Sequence, residues 1–376
     1  MDAYKSFIVF VLFVLLVSCT ADADYTTESR DDVSWGIQVM PKNIVGDTVD
    51  GVVISSIRIL IADYKFDGLI VYNGFSSDQS LETTPEGSYR LKLQRGEYKI
   101  CILANEPAHM TSVLNSCVNI KELNSVTLSA STNKQDMVFY KEQSFTVRPN
   151  PINPETCIIA VDSKDLEGTQ MTLVLDKLAT KVSLHVTKQT IDPKDQFDIL
   201  NVQVLNVPQH SFLIPDCQFK DSHVTIEPSI QEISFIANGE KKTILPELFL
   251  PEYILEHETD VTYATLLSIT ALYKRNGSEG LTVNYTFPIP GFNAKSYNMY
   301  RNYYFDIHAT IKHRGDFDYT PSISVEVAKW DIASSGEIDL GGNVFTHSQT
   351  WHEGTIHGDA LNEVRVANNS RTRLDF

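Results

Sequence analysis

From Val33 to Trp330 the apolar residues of this chain come in short runs, mostly alternating with polar ones, and Gly, Pro, Asn or Asp closes each run. A spacing of two is that of a half-buried β-strand, whereas an amphipathic helix repeats every 3.6 residues. VSWGIQVM (33–40) sets Val33, Trp35, Ile37 and Val39 on one face, and Pro41 ends it. Ile54 to Ala62, LIVYN after the Asp67-Gly68 turn, Tyr89 to Leu93, Tyr98 to Asn105 and Asp136 to Val147 continue the series. No long stripe of helical period occurs in this half, although Asn115 to Leu123 has room for one helical turn.

The second half repeats the pattern in Met171 to Val174, Lys181 to Val186, Phe197 to Leu205, Ser211 to Ile214, His223 to Glu227 and Glu232 to Ala237. Thr262 to Tyr273, Leu281 to Phe287, Tyr303 to Lys312 and Ser322 to Trp330 complete it. Between the halves, RPNPINP (148–154) is crowded with proline, which fixes φ and removes backbone donors. The expectation is an all-β chain: an N-terminal antiparallel β-sandwich over 33–148, a Pro-rich linker over 149–155 and a second sandwich over 156–331. A Gly-, Asn-, Ser- and His-rich tail over 332–376 follows, with too few apolar residues for a core of its own but room for two short strands.

Ahead of the strands, Lys5 precedes an apolar run from Phe7 to Val17, and Ser18 and Cys19 end it. The run is about eleven residues, well short of the roughly 20 that a spanning helix needs, so residues 1–18 read as a signal peptide. LVSC (16–19) resembles a bacterial lipobox, which implies cleavage before Cys19 and acylation of its sulfur. Residues 19–32 then form a lipidated tether. The formal charge of −17 argues against nucleic acid and against electrostatic docking on anionic lipid, so membrane contact must come from the acyl chains. With Cys19 acylated, Cys101, Cys117, Cys157 and Cys217 remain. A Cys101–Cys117 bridge and buried free thiols are both open readings.

Catalytic signatures are missing from the sequence. GxSxG, Walker A and GxGxxG elements do not occur, and HEGTIH (352–357) is one residue too long for a helical zinc pair. No cofactor and no metal is expected, His347, His352 and His357 being read as solvated tail residues. Asp31-Asp32 reads as a solvated segment. Sequons at Asn276, Asn284 and Asn368 read as incidental.

Several stretches, in order, resemble the fimbrillin group of Bacteroidetes lipoproteins, the FimA and Mfa type of pilus subunit. They are ISSIRILIADYKFDGLIVYNG, GEYKICILANEP, MTLVLDKLATKVSLHV with Lys177 where arginine is usual, FDILNVQVLNVPQHSFLIP, LPELFLPEYIL, YRNYYFDIHATIKHRG and VEVAKW. The resemblance implies two transthyretin-like sandwiches on a lipid anchor at the outer membrane. It also implies a structural role in a surface fimbria that supports adhesion, with other fimbrial subunits and a host or bacterial surface ligand as partners, and no enzyme activity. It implies assembly by strand exchange, in which a protease removes the first strand and a strand of the next subunit replaces it. Here the exchanged strand is Val33, Trp35, Ile37 and Val39 with the residues between them. Four inward side chains at about 1.5 to 3 kcal/mol each amount to roughly 6 to 12 kcal/mol, comparable with a domain's whole stability of about 5 to 15 kcal/mol.

The pattern departs from the family at the cleavage step. Relatives that polymerise carry an arginine in the loop after the first strand; residues 41–53 have none, and Lys42 is the basic residue there. Cutting at Arg30 would release only the lipid, and cutting at Arg58 would break the second strand. Retention of the strand describes an anchor or terminal subunit. In the family the C-terminal strand is the donor, and Asn343 to Trp351, with Val344, Phe345 and Trp351, has a donor's length. The alternative function is a monomeric, surface-exposed glycan-binding lipoprotein.

Overall fold

The structure, a computed structural model, describes residues 35–41, 48–49, 51–78, 80–81, 84, 88–166, 169–214, 222–276, 278–290, 296–312, 322–329, 344–349, 364–368 and 370–374. The strands of the first half are β1 (Trp35–Pro41), β2 (Thr48–Val49), β3 (Val52–Val53), β4 (Ile57–Asp63), β5 (Leu69–Phe75), β6 (Tyr89–Leu93) and β7 (Gly96–Ala104). After helix α1 (Ala108–Ser116) come β8 (Thr127–Ser129), β9 (Phe139–Pro149), β10 (Cys157–Val161), β11 (Lys164–Asp165), β12 (Gln170–Leu173) and β13 (Asp176–Lys177). The second half contains β14 (Ala179–Lys188), β15 (Gln196–Pro208), β16 (His210–Phe212), β17 (His223–Ile226), β18 (Ile233–Phe235), β19 (Lys241–Pro251), β20 (Leu266–Lys274) and β21 (Leu281–Pro288). β22 (Tyr303–Ile311), β23 (Ser322–Lys329), β24 (Val344–Gln349), β25 (Val364–Asn368) and β26 (Ser370–Leu374) complete the order.

Among the described residues these strands make two sandwiches. In the first, the three-stranded sheet β12-β1-β6 faces the sheet β11-β10-β9-β7-β4-β5. Val39, Tyr89, Leu91 and Leu93 from one side meet Ile57, Ile59, Ile61, Ile100, Ile102, Phe139 and Val147 from the other. The second packs β19-β14-β22-β23-β24-β25-β26 on β17-β15-β20-β21 around Val182, Leu184, Phe197, Ile199, Leu267, Phe305 and Ile307. Most ladders are antiparallel as expected, but β1 runs parallel to β12 and β14 parallel to β22. Parallel neighbours need a long crossover, so both pairs join segments far apart in sequence.

The sheet holding β4 is covered on both faces. Its second face, with Leu60, Ala62, Cys101, Leu103 and Tyr140, packs on Met110 and Leu114 of α1, on Ile120 and Leu123 of a 3₁₀ turn, and on Leu178 and Leu213. A strand buried on both sides reads as a continuous apolar run, which is why IRILIA lacks alternation. The helix lies at Ala108–Ser116, upstream of the helical turn expected at Asn115 to Leu123, where the 3₁₀ turn Ile120–Ser125 sits instead. Its start follows Pro107, and Met110 and Leu114 lie four residues apart on its buried face. Asn105, in the left-handed region at φ 57, closes β7 by accepting from the Ser55 amide and donating to the Val53 and Met137 carbonyls.

The Pro-rich stretch does not separate two sheets. β9 and β10 pair across it, with Pro149 opposite Cys157 and Val147 opposite Ile159, and the Asn150 amide bonds the Thr156 carbonyl. Proline here rigidifies a hairpin connection at a sheet end, where no ladder donor is needed. The two large cores change over at Leu175 to Val182: Leu175 belongs to the first and Val182 to the second.

The halves are also laced together. β16 of the second half pairs with β8 of the first, Ser211 opposite Leu128. Arg301, salt-bridged to Glu252, donates to the Phe212 and Leu213 carbonyls, each at 2.6 Å. Glu247 lies between Lys134 of the first half and Lys181 of the second, at 3.2 and 3.0 Å.

Cys101, Cys117 and Cys157 are free and buried, so the Cys101–Cys117 bridge is not formed; Cys217 lies outside the described residues. Cys101 and Cys117 help fill the α1-side core, Cys101 beneath the Tyr140 hydroxyl at 3.4 Å. Burial pushes the Cys101 thiol up to about 12, so a thiol reagent at pH 8 is expected to spare it in the folded protein and label it on unfolding, as mass analysis would record. Arg58, 1 % exposed, holds Glu106 through two hydrogen bonds and donates to Asn73 at 2.7 Å. Arg58→Leu therefore strands a buried carboxylate and is expected to lose about 3 to 5 kcal/mol in denaturant titration, with much of it recovered in Arg58→Leu/Glu106→Leu.

Candidate assembly site

β1 is the strand on which the sequence analysis placed function, and it lies in the middle of its sheet. Trp35, Ile37 and Val39 stand opposite Leu93, Leu91 and Tyr89 of β6, running antiparallel. On the other edge Val39 and Pro41 stand opposite Met171 and Leu173 of β12, running parallel. These five partners are buried, and so is Val39 itself at 0 % exposure. The intervening positions face outward: Gly36 is exposed and its partner Lys92 is exposed, as is Arg90 opposite Gln38. The alternation read from the sequence is thus matched by alternation in both neighbours.

Withdrawing such a strand would leave two sheet edges with unpaired amides and carbonyls, flanked by the buried side chains of Leu91, Leu93, Met171 and Leu173. The role of β12 as the second wall was not legible in the sequence. Its QMTL run has the right alternation, but its position after the Pro-rich stretch points to the second half.

Of the other residues singled out, Cys19, Arg30, Val33, Lys42 and Trp351 lie outside the described residues, as do His352 and His357. Trp35 and Ile37 are in β1, and Val344 and Phe345 are in β24. β24 is docked on its own chain. It pairs antiparallel with β23, Phe345 opposite Val327 and Gln349 opposite Ile323, and β25 and β26 extend the same sheet. Among the described residues the tail has three strands where two were expected, and they add to the sheet of the second sandwich.

Titratable side chains gather at one further place, the outer face of β14 and β22. Asp306 takes bonds from His185 Nε2 at 2.9 Å, His308 Nε2 at 3.2 Å and Ser183 Oγ at 2.5 Å. The two imidazoles stack at 4.9 Å, and His185 Nδ1 is hydrogen-bonded to Thr243 Oγ1 at 2.9 Å. The Ser183 hydroxyl bonds to the carboxylate and to Tyr304, and its hydrogen bonds do not reach either imidazole, so the set lacks the nucleophile–base bond of a hydrolase. Among the described residues no group of three or more His, Cys, Asp or Glu is arranged to hold a metal ion. Burial opposes ionisation of Asp306, but bonds from His308 and Ser183 hold it at about 2. Burial, His308 and Lys241 push His185 below its ordinary value against the pull of Asp306.

Comparison with known proteins gives two kinds of likeness. The chain is 24% identical over 328 residues to the major fimbrium subunit FimC of Porphyromonas gingivalis, an alignment spanning 84% of this chain and 67% of that protein. Two solved structures from Parabacteroides distasonis, each described as a candidate cell adhesion protein, share the fold. One matches at a TM-score of 0.50 with 15% identity, covering 80% of this chain and 100% of that one. The other matches at 0.50 with 12% identity, covering 86% and 98%. No family model matches.

Val39→Ala is expected to cost about 2 kcal/mol in denaturant unfolding of the first sandwich, from lost burial plus the cavity left between Tyr89 and Met171. For His185 the sign follows from its lowered value. The unfolded chain takes up the proton first, so stability falls as pH drops below about 6.5, and the urea midpoint of wild type is expected to slope downward there while that of His185→Gln is flatter.

Proposed function

We propose that this chain, a member of the Bacteroidetes fimbrillin family, is a structural subunit of a cell-surface fimbria, exported with lipid on Cys19 and joined to its neighbours by strand exchange at β1, which releases it from the lipid, or held at the outer membrane by that lipid where β1 is retained. The observation that carries the reading is the position of β1. β1, the first described strand, fills a slot with backbone partners along both edges and buried apolar side chains on both flanking strands. A strand so placed is the one element a neighbour's strand could replace without rebuilding the sandwich. The business of the molecule is then mechanical linkage and support of adhesion, with no reaction catalysed.

The burial of Arg58 bears on how the slot is opened. At 1 % exposure in the middle of a sheet, it is closed to a protease acting on folded protein. That leaves Lys42, within the connection after β1, as the basic residue whose cleavage would free the strand. Retention of β1 would keep the subunit on its lipid as an anchor or terminal member.

Mass analysis of the protein from intact cells tests this reading. A subunit whose strand is exchanged is expected to lack lipid and begin at Asn43, and one that serves as an anchor is expected to retain acyl chains on Cys19. An unlipidated chain still carrying residues 33–41 after export would contradict both forms.

A further inference from the structure

The slot between β6 and β12 defines what can occupy it. Its core-facing partners, Leu93, Leu91 and Tyr89 on one wall and Met171 and Leu173 on the other, are none of them more than 5 % exposed. A strand lying there needs apolar residues at every second position and accepts polar ones between, where Lys92, Arg90, Gln170 and Thr172 are the partners. A polar side chain turned onto that floor without a hydrogen-bond partner costs on the order of 1–3 kcal/mol, and a charged one costs more. β1 meets the requirement in its sequence phase, with Trp35, Ile37, Val39 and Pro41 at alternate positions and Val39 buried at 0 % exposure.

The chain's own described C-terminal strands do not. β24 has Val344, Thr346 and Ser348 in one phase and Phe345, His347 and Gln349 in the other. β25 sets Val364 and Val366 in phase but reaches Asn368 next. β26 alternates Ser370, Thr372 and Leu374 with Arg371 and Arg373. Register places Arg365 opposite Arg373 and Ala367 opposite Arg371, so all three arginines fall in one phase of the β25–β26 hairpin. Each strand is also already paired, in register, within the second sandwich's sheet. Freeing β24 would expose the edge of β23.

Resting on the strand-exchange reading above, the geometry points to a slot filled by a strand from a different polypeptide, with apolar residues at alternate positions, and not by the tail of a second copy of this chain. The chain accepts a strand and, among the described residues of its tail, offers no matching one. Homotypic growth stops at it, and it stands at the end of a run of subunits.

The test uses the full chain with a specific protease site placed in residues 42–47. After cutting, fluorescent peptides of residues 33–41, 336–351 and 362–376 are added in excess, and the label that co-elutes with folded protein is measured. Entry of the 33–41 peptide, with no co-eluting label from either tail peptide, is the expected result. Entry of either tail peptide overturns the inference and leaves strand exchange standing. Exclusion of all three from a protein that keeps its fold overturns strand exchange itself. Should the cut protein unfold, refolding from urea with each peptide separates the same three outcomes: rescue by 33–41 alone supports the inference, rescue by a tail peptide overturns it, and rescue by none overturns strand exchange.

Discussion

The double pairing of β1 is the constraint on which the first sandwich depends. A strand at a sheet edge contributes one ladder; β1 contributes two, and it also supplies part of the floor of a core that includes Tyr89, Met171 and Phe139. Its removal would therefore cost hydrogen bonds along both sides at once, together with apolar burial. The same balance explains why an empty slot would be avid, since any strand of the right alternation recovers both ladders and the burial in a single step. A position that is destabilising to vacate is equally favourable to fill.

Around β1 the remainder is tightly packed. The sheet opposite β1 is packed on both faces, by the main core on one side and by α1 and a 3₁₀ turn on the other. Arg58 and Glu106 pair inside that double cover, where either alone would be a buried charge. The joint between the halves is tied by the β8–β16 ladder, by Arg301 on two backbone carbonyls, and by Glu247 between lysines of both halves. A joint made of backbone ladders and partly buried ion pairs resists hinging better than a flexible linker would.

The second sandwich differs in how it ends. Its sheet continues past β23 into β24, β25 and β26, so the tail completes the parent fold. The His185–Asp306–His308 set lies on the outer face of that same sheet, where it stitches β14 to β22 and couples the sandwich to pH. Its bonds run between neighbouring strands.

Local pattern determined much of this in advance. The all-β class, the positions of most strands and the inward face of β1 follow from a spacing of two, because side chains in a strand alternate whatever their distant partners are. Composition determined the acidic surface, and the apolar run before Cys19 carried the expectation of export. Pairing was beyond its reach. That the proline-rich stretch closes a hairpin, that QMTL lies beside β1, that Cys101 and Cys117 stay reduced in a core beneath α1, and that Val344 and Phe345 lie along β23 all depend on which strands meet across long separations. Alternation states that a strand has a buried face but not which neighbour covers its edges. Only the tertiary structure decides that, because edge pairing is set by the global fit of two sheets.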